Sequence, residues 1–159
     1  MKQKKTNAAR ILEKFGVGYE LKEYSVDEEN LSATHVAESV GLPIESVYKT
    51  LVVRGDKTDI IMAVIQGDLE IDLKALAKVS GNKRAEMIHL KELFPLTGYI
   101  RGGCSPLGSK KNYPVFLDSR ALLQEKIAIS AGIRGAQLWL SPQDLIMVTN
   151  AVTADITKG

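Results

Sequence analysis

The sequence predicts one α+β domain over residues 1–159, with a mixed, largely antiparallel and barrel-like sheet flanked by helices. The first observation is length, since 159 residues is the size of one ordinary domain that buries most of its apolar surface. The second is composition, because 45% hydrophobic and 25% charged residues are average for a globular protein. The third is the mixture of helix-like segments, strand-like segments and hairpin signals, which disfavours a doubly wound parallel sheet.

Helices are predicted where apolar residues recur three and four positions apart. The opening stretch 7–15 has this spacing and ends at Gly16. Serine followed by proline at Ser141 and Pro142 is typical of a helix start and predicts the last helix. The other predicted helices run from a cap at Ser32 or Thr34 to Gly41, from Leu73 to Gly81, and over single turns at 91–94 and 121–124.

Strands are predicted in segments rich in β-branched residues. Segments 47–54 and 59–66 flank the turn Gly55-Asp56-Lys57-Thr58, which predicts a β-hairpin. The stretch 97–112 has too many glycines and prolines for a regular element and predicts a structured loop. Further strands are expected at 19–26, 87–90, 115–117, 127–130 and 137–140.

Charge and cysteine content narrow the function classes only slightly. A net charge of +2 and a pI near 8.6 do not by themselves indicate a nucleic-acid binder, although local basic patches remain allowed. The one cysteine, Cys104, excludes an internal disulfide and suits a reducing compartment. No window approaches the ~18–20 apolar residues of a membrane span, and the start lacks the apolar core of a signal peptide. We therefore expect a cytoplasmic protein without a membrane partner.

Lys49 lies on an apolar face of a predicted central strand, which it shares with Val47, Leu51 and Val53. Burying an ammonium without a partner is costly. Either the side chain reaches water at the end of the sheet, or something anionic meets it in a cleft. The pattern alone leaves both interpretations open.

Residues 101–108, here called the glycine loop, form a second candidate site. Close glycines allow positive φ and close backbone approach, so consecutive N–H groups can form an anion or oxyanion site near Arg101, Lys110 and Lys111. A tight connection between strands is the structural alternative. The order Ser109-Lys110 is the reverse of a phosphate-binding loop, which argues against a nucleotide triphosphatase. A second turn, 130–135, lacks the third glycine of a dinucleotide site and is at most a wall of the pocket.

Metal and thiol chemistry are both disfavoured. His35 and His89 lie far apart in the sequence and make no metal-ligand spacing with Cys104, so no metal is expected. Cys104 has no evident histidine base and is more simply a small apolar filler than a nucleophile.

Three separate motifs follow one another along the chain: Val47-Tyr48-Lys49-Thr50-Leu51, Thr97-Gly98-Tyr99 with 102–108, and Ser130-Ala131-Gly132 with Arg134-Gly135. Their order and spacing resemble the signatures of the YbaK/EbsC family of free-standing aminoacyl-tRNA deacylases. The resemblance covers essentially the whole chain and extends to the editing domain of bacterial prolyl-tRNA synthetases.

The resemblance implies trans-editing, in which a wrong amino acid, typically cysteine, is removed from the proline tRNA by hydrolysis or by cyclisation. It implies no metal or organic cofactor. The implied partner is the acceptor 3′ end of an aminoacyl-tRNA, and prolyl-tRNA synthetase is a second candidate partner.

The same resemblance assigns site residues. Lys49 is expected to grip the phosphate or ribose of the terminal adenosine, and the backbone from Gly102 to Pro106 to hold the 3′ end and polarise the ester carbonyl. Lys49 and Gly102 are thus the expected catalytic residues, and Gly103, Ser105 and Pro106 are expected to bind substrate.

Three further residues are expected to contact substrate. Tyr24 falls at an aromatic pocket position of the family, and Ser130 at the polar position of the second turn. Gln137 stands where the best-studied branch has an acidic residue, and a neutral amide cannot neutralise an ammonium, so the amino-acid preference stays open.

The expected chemistry needs no protein base. The thiol of a cysteinyl ester can attack its own carbonyl, so orientation and oxyanion stabilisation suffice. Two alternatives remain at the level of sequence: editing of another ester such as alanyl-tRNA(Pro), and a non-catalytic module that binds tRNA or a synthetase. The sequence leaves the oligomeric state undecided.

Overall fold

The computed structural model describes residues 5–158 and contains two β-sheets with helices around them. The helices are α1 (Asn7–Lys14), α2 (Ala33–Val40), α3 (Leu73–Ser80), α4 (Leu93–Thr97) and α5 (Pro142–Thr149). The strands are β1 (Glu20–Glu23), β2 (Tyr48–Gly55), β3 (Asp59–Gln66), β4 (Ala85–Met87), β5 (Val115–Asp118), β6 (Ile127–Ser130), β7 (Ala136–Leu140) and β8 (Val152–Ala154). Short 3₁₀ turns cover Ile44–Ser46, Leu90–Glu92 and Ser119–Leu123. No helix of the described chain is long and apolar enough to cross a membrane.

Side-chain caps explain where four of the helices begin. At each of these starts a hydroxyl or carboxylate oxygen accepts a hydrogen bond from a backbone N–H of the first turn, which would otherwise be unpaired. At the cap of α2, Ser32 takes this role, and Thr34 lies inside the helix. The four capping residues are Thr6, Ser32, Asp72 and Ser141.

The larger sheet has five strands in the order β4-β2-β3-β5-β8. The predicted hairpin is confirmed: β2 and β3 pair antiparallel along their full lengths, from Tyr48 opposite Gln66 to Gly55 opposite Asp59. β5 runs parallel to both of its neighbours, β3 and β8, so the sheet is mixed as expected.

The smaller sheet has three antiparallel strands in the order β1-β7-β6. One isolated parallel bridge, between Val47 and Ala128, joins it to the start of β2. Within residues 5–158 the two sheets do not close into a barrel, so the barrel-like expectation does not hold.

Three local expectations are corrected. The strand expected at 87–90 lies earlier, as β4, and the helix expected at 121–124 is the 3₁₀ turn Ser119–Leu123. The carboxylate of Asp118 caps this turn by accepting from the Arg120 N–H. Strand β8 was not predicted at all.

β2 is buried on both faces. Tyr48 and Val52 face the main core, which α1, α5 and the smaller sheet also line, whereas Val53 faces a second core beneath α3. Such two-sided burial produces a nearly continuous apolar strand. Lys49 and Thr50 are polar residues at the beginning of this strand, and the site develops around them.

Candidate active site

A cavity of about 610 Å³ opens where β2 begins. Its walls come from the start of α2, the first half of β2, the segment between β4 and α4, the glycine loop, and the facing ends of β6 and β7. Four of the predicted site residues line it: Lys49, Gly102, Ser130 and Gln137. The fold therefore gathers residues from all three sequence motifs around one space.

Lys49 is half-buried, and burial lowers the pKa of its ammonium below the ordinary value. The carboxylates of Asp68 and Glu70 act in the opposite direction but do not cancel this effect. Lys49 also borders a neighbouring cavity of about 760 Å³ that Glu70 helps to line. No carboxylate of residues 5–158 lies in ion-pair contact with it, so its charge is available to an anionic ligand.

Ser130 and Gln137 face each other directly across the β6–β7 ladder. Side chains of opposed residues in an antiparallel pair are about 4.5–5.5 Å apart at Cβ, so the two side chains are neighbours on one face of the sheet. The Ser130 hydroxyl oxygen accepts from the Gly132 N–H at 3.1 Å, which leaves its proton available to donate. Gln137 is only 5% exposed.

Two buried acceptor oxygens of the cavity wall have no hydrogen-bond partner in the described chain: Gln137 Oε1 and Thr50 Oγ1. Leaving a buried polar atom unpaired costs about 1–3 kcal/mol, and folded proteins rarely accept this without a reason. Both residues line the same cavity, so a ligand with N–H or O–H donors that enters it is the candidate partner of the two oxygens. A third unpaired oxygen is the hydroxyl of Tyr48, another residue of the cavity wall, and burial together with the nearby charge of Asp118 raises its pKa.

The glycine loop packs directly on the second turn. A Cβ at Gly103 would lie 3.2 Å from the backbone of Ile133 and Arg134, and Arg134 Nε donates to the carbonyl oxygen of Arg101 at 2.8 Å. Gly102 has φ +83°, a conformation that side chains rarely adopt. These contacts explain why small residues are needed at both positions.

Tyr99 holds the far end of the loop. Its ring is 9% exposed and lies against Gly132, and its hydroxyl donates to the carbonyl oxygen of Leu107. Burial raises the pKa of Tyr99 to about 12, so the hydroxyl stays protonated and keeps donating at neutral pH. Within the described chain the N–H groups of Gly102 and Cys104 have no protein acceptor, which leaves them free for a ligand oxygen.

Four other predicted residues do not line the cavity. Gly103, Ser105 and Pro106 are buried beneath it and shape the loop; the Ser105 hydroxyl accepts from the Leu107 N–H at 3.2 Å. Tyr24 lies just beyond β1, where its N–H donates to the carbonyl oxygen of Gly135 at 2.9 Å. The structure thus places these side chains in support of the site walls, away from the open space.

Thr50 is the site residue that the sequence analysis missed. Strand alternation places it on the face opposite Lys49, yet both residues line the cavity because it wraps around the start of β2. The sequence feature that could have indicated Thr50 is its hydroxyl, which lies on the same strand face as Tyr48 and Val52.

Cys104 also lines the cavity, and burial raises the pKa of its thiol to about 12. A thiol with this pKa is almost entirely protonated near neutral pH, and the thiolate is the nucleophilic form. Its side chain is therefore an apolar part of the wall, as the sequence suggested.

Another cavity, of about 700 Å³, lies at the opposite end of the hairpin and contains none of the predicted site residues. Its lining includes Arg54, whose guanidinium pairs with Glu92 at 3.0 Å. The unpaired oxygens of Thr50 and Gln137 and the loop N–H groups without a protein acceptor distinguish the cavity at the start of β2 as the candidate active site.

Known proteins are similar to this chain over the segment that forms the cavity. The family model of the aminoacyl-tRNA editing domain matches residues 27–148, a span that includes every residue named in the cavity wall. The chain belongs to this family. The similarity to YbaK/EbsC proteins inferred from the three motifs is confirmed, as is the α+β editing fold.

Three relatives match different shares of the chain. A protein of Enterococcus faecalis that is named as a Cys-tRNA(Pro)/Cys-tRNA(Cys) deacylase, EbsC, is 50% identical over 155 residues, which are 98% of this chain and 94% of the relative. A crystal structure described as a trans-editing enzyme for prolyl-tRNA synthetase superposes with a TM-score of 0.82 at 26% identity and covers 94% of each chain. A proline–tRNA ligase of Thermosipho africanus is 30% identical over 76 residues, which are 48% of this chain and 13% of the ligase.

We predict that Lys49→Met makes the protein more stable at pH 7. Because the folded-state pKa of Lys49 lies below its unfolded value, the folded chain carries the full cost of the buried charge when pH is below both values. This cost declines as pH rises from the folded-state pKa towards the unfolded value of about 10.4, so the advantage of methionine should be smaller at pH 10 than at pH 7.

Urea unfolding of both proteins at the two pH values measures this effect, with Lys126→Met as a control at an exposed lysine. A Lys49→Met protein that is less stable than the wild type at pH 7 would contradict the assignment of Lys49 as a desolvated charge held for a ligand.

Proposed function

We propose that this protein is a trans-editing deacylase that removes mischarged cysteine from tRNA(Pro). The observation that carries the proposal is the cavity, whose wall brings together the half-buried Lys49, two residues with unpaired buried oxygens, Thr50 and Gln137, and two loop residues whose N–H groups have no protein acceptor, Gly102 and Cys104. The family match and the 50% identity to a protein named as a Cys-tRNA(Pro)/Cys-tRNA(Cys) deacylase support the choice of reaction and substrate.

Each group of the cavity has a task in this proposal. Lys49 binds the phosphate or ribose of the terminal adenosine and fixes the ester. The N–H groups of Gly102 and Cys104 donate to the carbonyl oxygen, which becomes negative in the transition state, where such donors contribute most. Gln137 Oε1 and Thr50 Oγ1 accept hydrogen bonds from the α-amino group of the substrate, and the Ser130 hydroxyl lies beside them.

Bond breaking then needs no protein nucleophile. In the cyclising route the cysteinyl sulfur attacks the ester carbonyl carbon, the bond from that carbon to the ribose oxygen breaks, and the ribose oxygen takes the thiol proton. The products are a four-membered thiolactone and free tRNA. In the hydrolytic route water replaces the thiol and cysteine is released. Both routes depend on orientation and oxyanion stabilisation.

The proposed reaction also implies a location for the protein. Mischarged tRNA is released by a synthetase in the cytoplasm, so we place the protein there. The similarity of its fold to an editing enzyme for prolyl-tRNA synthetase supports that synthetase as a partner.

The direct test compares cysteinyl, alanyl and prolyl esters of tRNA(Pro). We expect release of cysteine at least ten times faster than release of alanine, because alanine has no thiol, and little release of proline. Release of alanine without cysteine would replace the proposed substrate. No turnover of any ester, together with stable binding to prolyl-tRNA synthetase, would favour a non-catalytic module.

We further expect Lys49→Ala to lower kcat/KM for cysteinyl-tRNA(Pro) on the order of 100-fold or more, because the ester is no longer held against the loop N–H groups. Cys104→Ala is the matched comparison: it removes a neighbouring thiol but keeps the backbone N–H, so most activity should remain. Deacylation at the wild-type rate by Lys49→Ala, or equal losses in the two variants, would contradict these roles.

A further inference from the structure

Residues 90–101, here called the mouth because Leu90, Leu93 and Arg101 of this segment line the cavity, carry large apolar side chains exposed to solvent. Leu90 is 61% exposed, Phe94 56% and Ile100 49%. Leu90 and Leu93 line the cavity, and Phe94 directly follows Leu93 in α4. Ile100 directly precedes Arg101, another residue of the wall. Exposed apolar groups clustered at one place usually mark a binding surface.

Lys110 lies over the ring of Phe94, with its Nζ 5.1 Å from the ring centroid. Its backbone fixes this position, since the Lys110 N–H donates to the carbonyl oxygen of Thr97 at 3.1 Å, and its side chain packs beside Gly98. The cation–π contact covers part of the ring and holds the ammonium there. The remaining surface of Phe94 is open to solvent.

The mouth is also positively charged. Arg101, Lys110 and Lys111 are exposed, and none of them is paired with a carboxylate among residues 5–158. The nearby carboxylate of Glu92 is already occupied by Arg54 at 3.0 Å. The occupant that complements this surface is therefore anionic and has flat apolar faces.

We propose that one surface beside the cavity binds the single-stranded nucleotides that precede the terminal adenosine. This surface, called the mouth surface, consists of Leu90, Phe94, Ile100, Arg101 and Lys110. One base stacks on the open part of the Phe94 ring, and Arg101 and Lys110 contact the neighbouring phosphates. The inference rests on the proposed function for one point only, that the terminal adenosine occupies the cavity.

The combination of groups selects this occupant. An aromatic ring beside basic side chains is the arrangement that binds single-stranded nucleic acid without reading its sequence, because every base has a π-face and every nucleotide a phosphate. Duplex RNA hides its base faces and would use only the charges. A purely apolar protein partner would leave the exposed cations unsatisfied.

The test uses two cysteinylated substrates: an RNA hairpin with a single-stranded 3′ ACCA end, and the cysteinyl ester of adenosine alone. Phe94→Ala should lower kcat/KM for the hairpin about 5- to 100-fold, the range expected for loss of one base–aromatic stack. For the adenosine ester the change should stay below about 2-fold, because this substrate does not reach the mouth surface. Phe15→Ala, at a phenylalanine with 52% exposure that does not line the cavity, is the matched control and should alter neither value.

Binding measurements separate this inference from the proposed function. Fluorescence anisotropy with the uncharged ACCA hairpin needs no catalysis, so it tests the mouth surface even if the wild-type protein deacylates nothing. We expect weaker binding by Phe94→Ala, and we expect Lys110→Ala to reduce the salt dependence, d log K/d log[salt], by about 0.7, the value for one phosphate of a single strand.

Three results would overturn the inference. The first is an equal effect of Phe94→Ala on both substrates, which would place the ring at the reacting end. The second is equal binding of the ACCA hairpin and a blunt hairpin by the wild-type protein, which would mean that the surface reads duplex phosphates. Unchanged hairpin binding and turnover in Phe94→Ala contradicts it outright.

Discussion

The pairing of β2 with β3 is the interaction on which the rest of the structure depends. It holds β2 between two hydrophobic cores, so that each residue of the strand is at least partly buried. Lys49 and Thr50 at its beginning are consequently partly desolvated, and both line the candidate active-site cavity. A ligand that paired with them there would offset the cost of this burial.

A second constraint fixes the backbone donors. The glycine loop and the turn at 130–135 approach so closely that a Cβ at Gly103 would press on the opposing backbone, and Tyr99 secures the assembly from below. The N–H groups of the loop are thus oriented before any ligand arrives. Preorganised donors of this kind stabilise a developing oxyanion without reorganisation during the reaction.

The sequence predicted the features that depend on local chemistry. Lys49 stood out because an ammonium is out of place on an apolar strand, and Gly102 because breakers cluster around it. The direct opposition of Ser130 and Gln137 depends on the register of two separate strands, which the sequence does not display. Tyr24 supports the walls from outside because its backbone joins the turn at Gly135.

The parts of the fold that the sequence analysis did not predict also depend on contacts between distant segments. Strand β8 has three residues and pairs parallel with β5, a long-range contact that leaves no local pattern. At residues 119–123 the carboxylate of Asp118 serves both the 3₁₀ turn and the N–H of Ile156, so tertiary contacts decide the local conformation. Among residues 5–158 the two sheets are linked by one bridge, between Val47 and Ala128, which is too little pairing to join them into one continuous sheet.

In the proposed complex, the unpaired oxygens of Gln137 and Thr50 accept hydrogen bonds from the amino group of an aminoacyl-adenosine. Titration calorimetry with the non-hydrolysable amide analogue, 3′-cysteinylamino-3′-deoxyadenosine, tests it most directly with wild type, Gln137→Met and Thr50→Val. We expect each variant to bind the analogue about 10-fold more weakly and yet to unfold at the same or higher urea concentration, because an unpaired buried acceptor has been removed. Binding as tight as in the wild type, or no binding by the wild type, would contradict it.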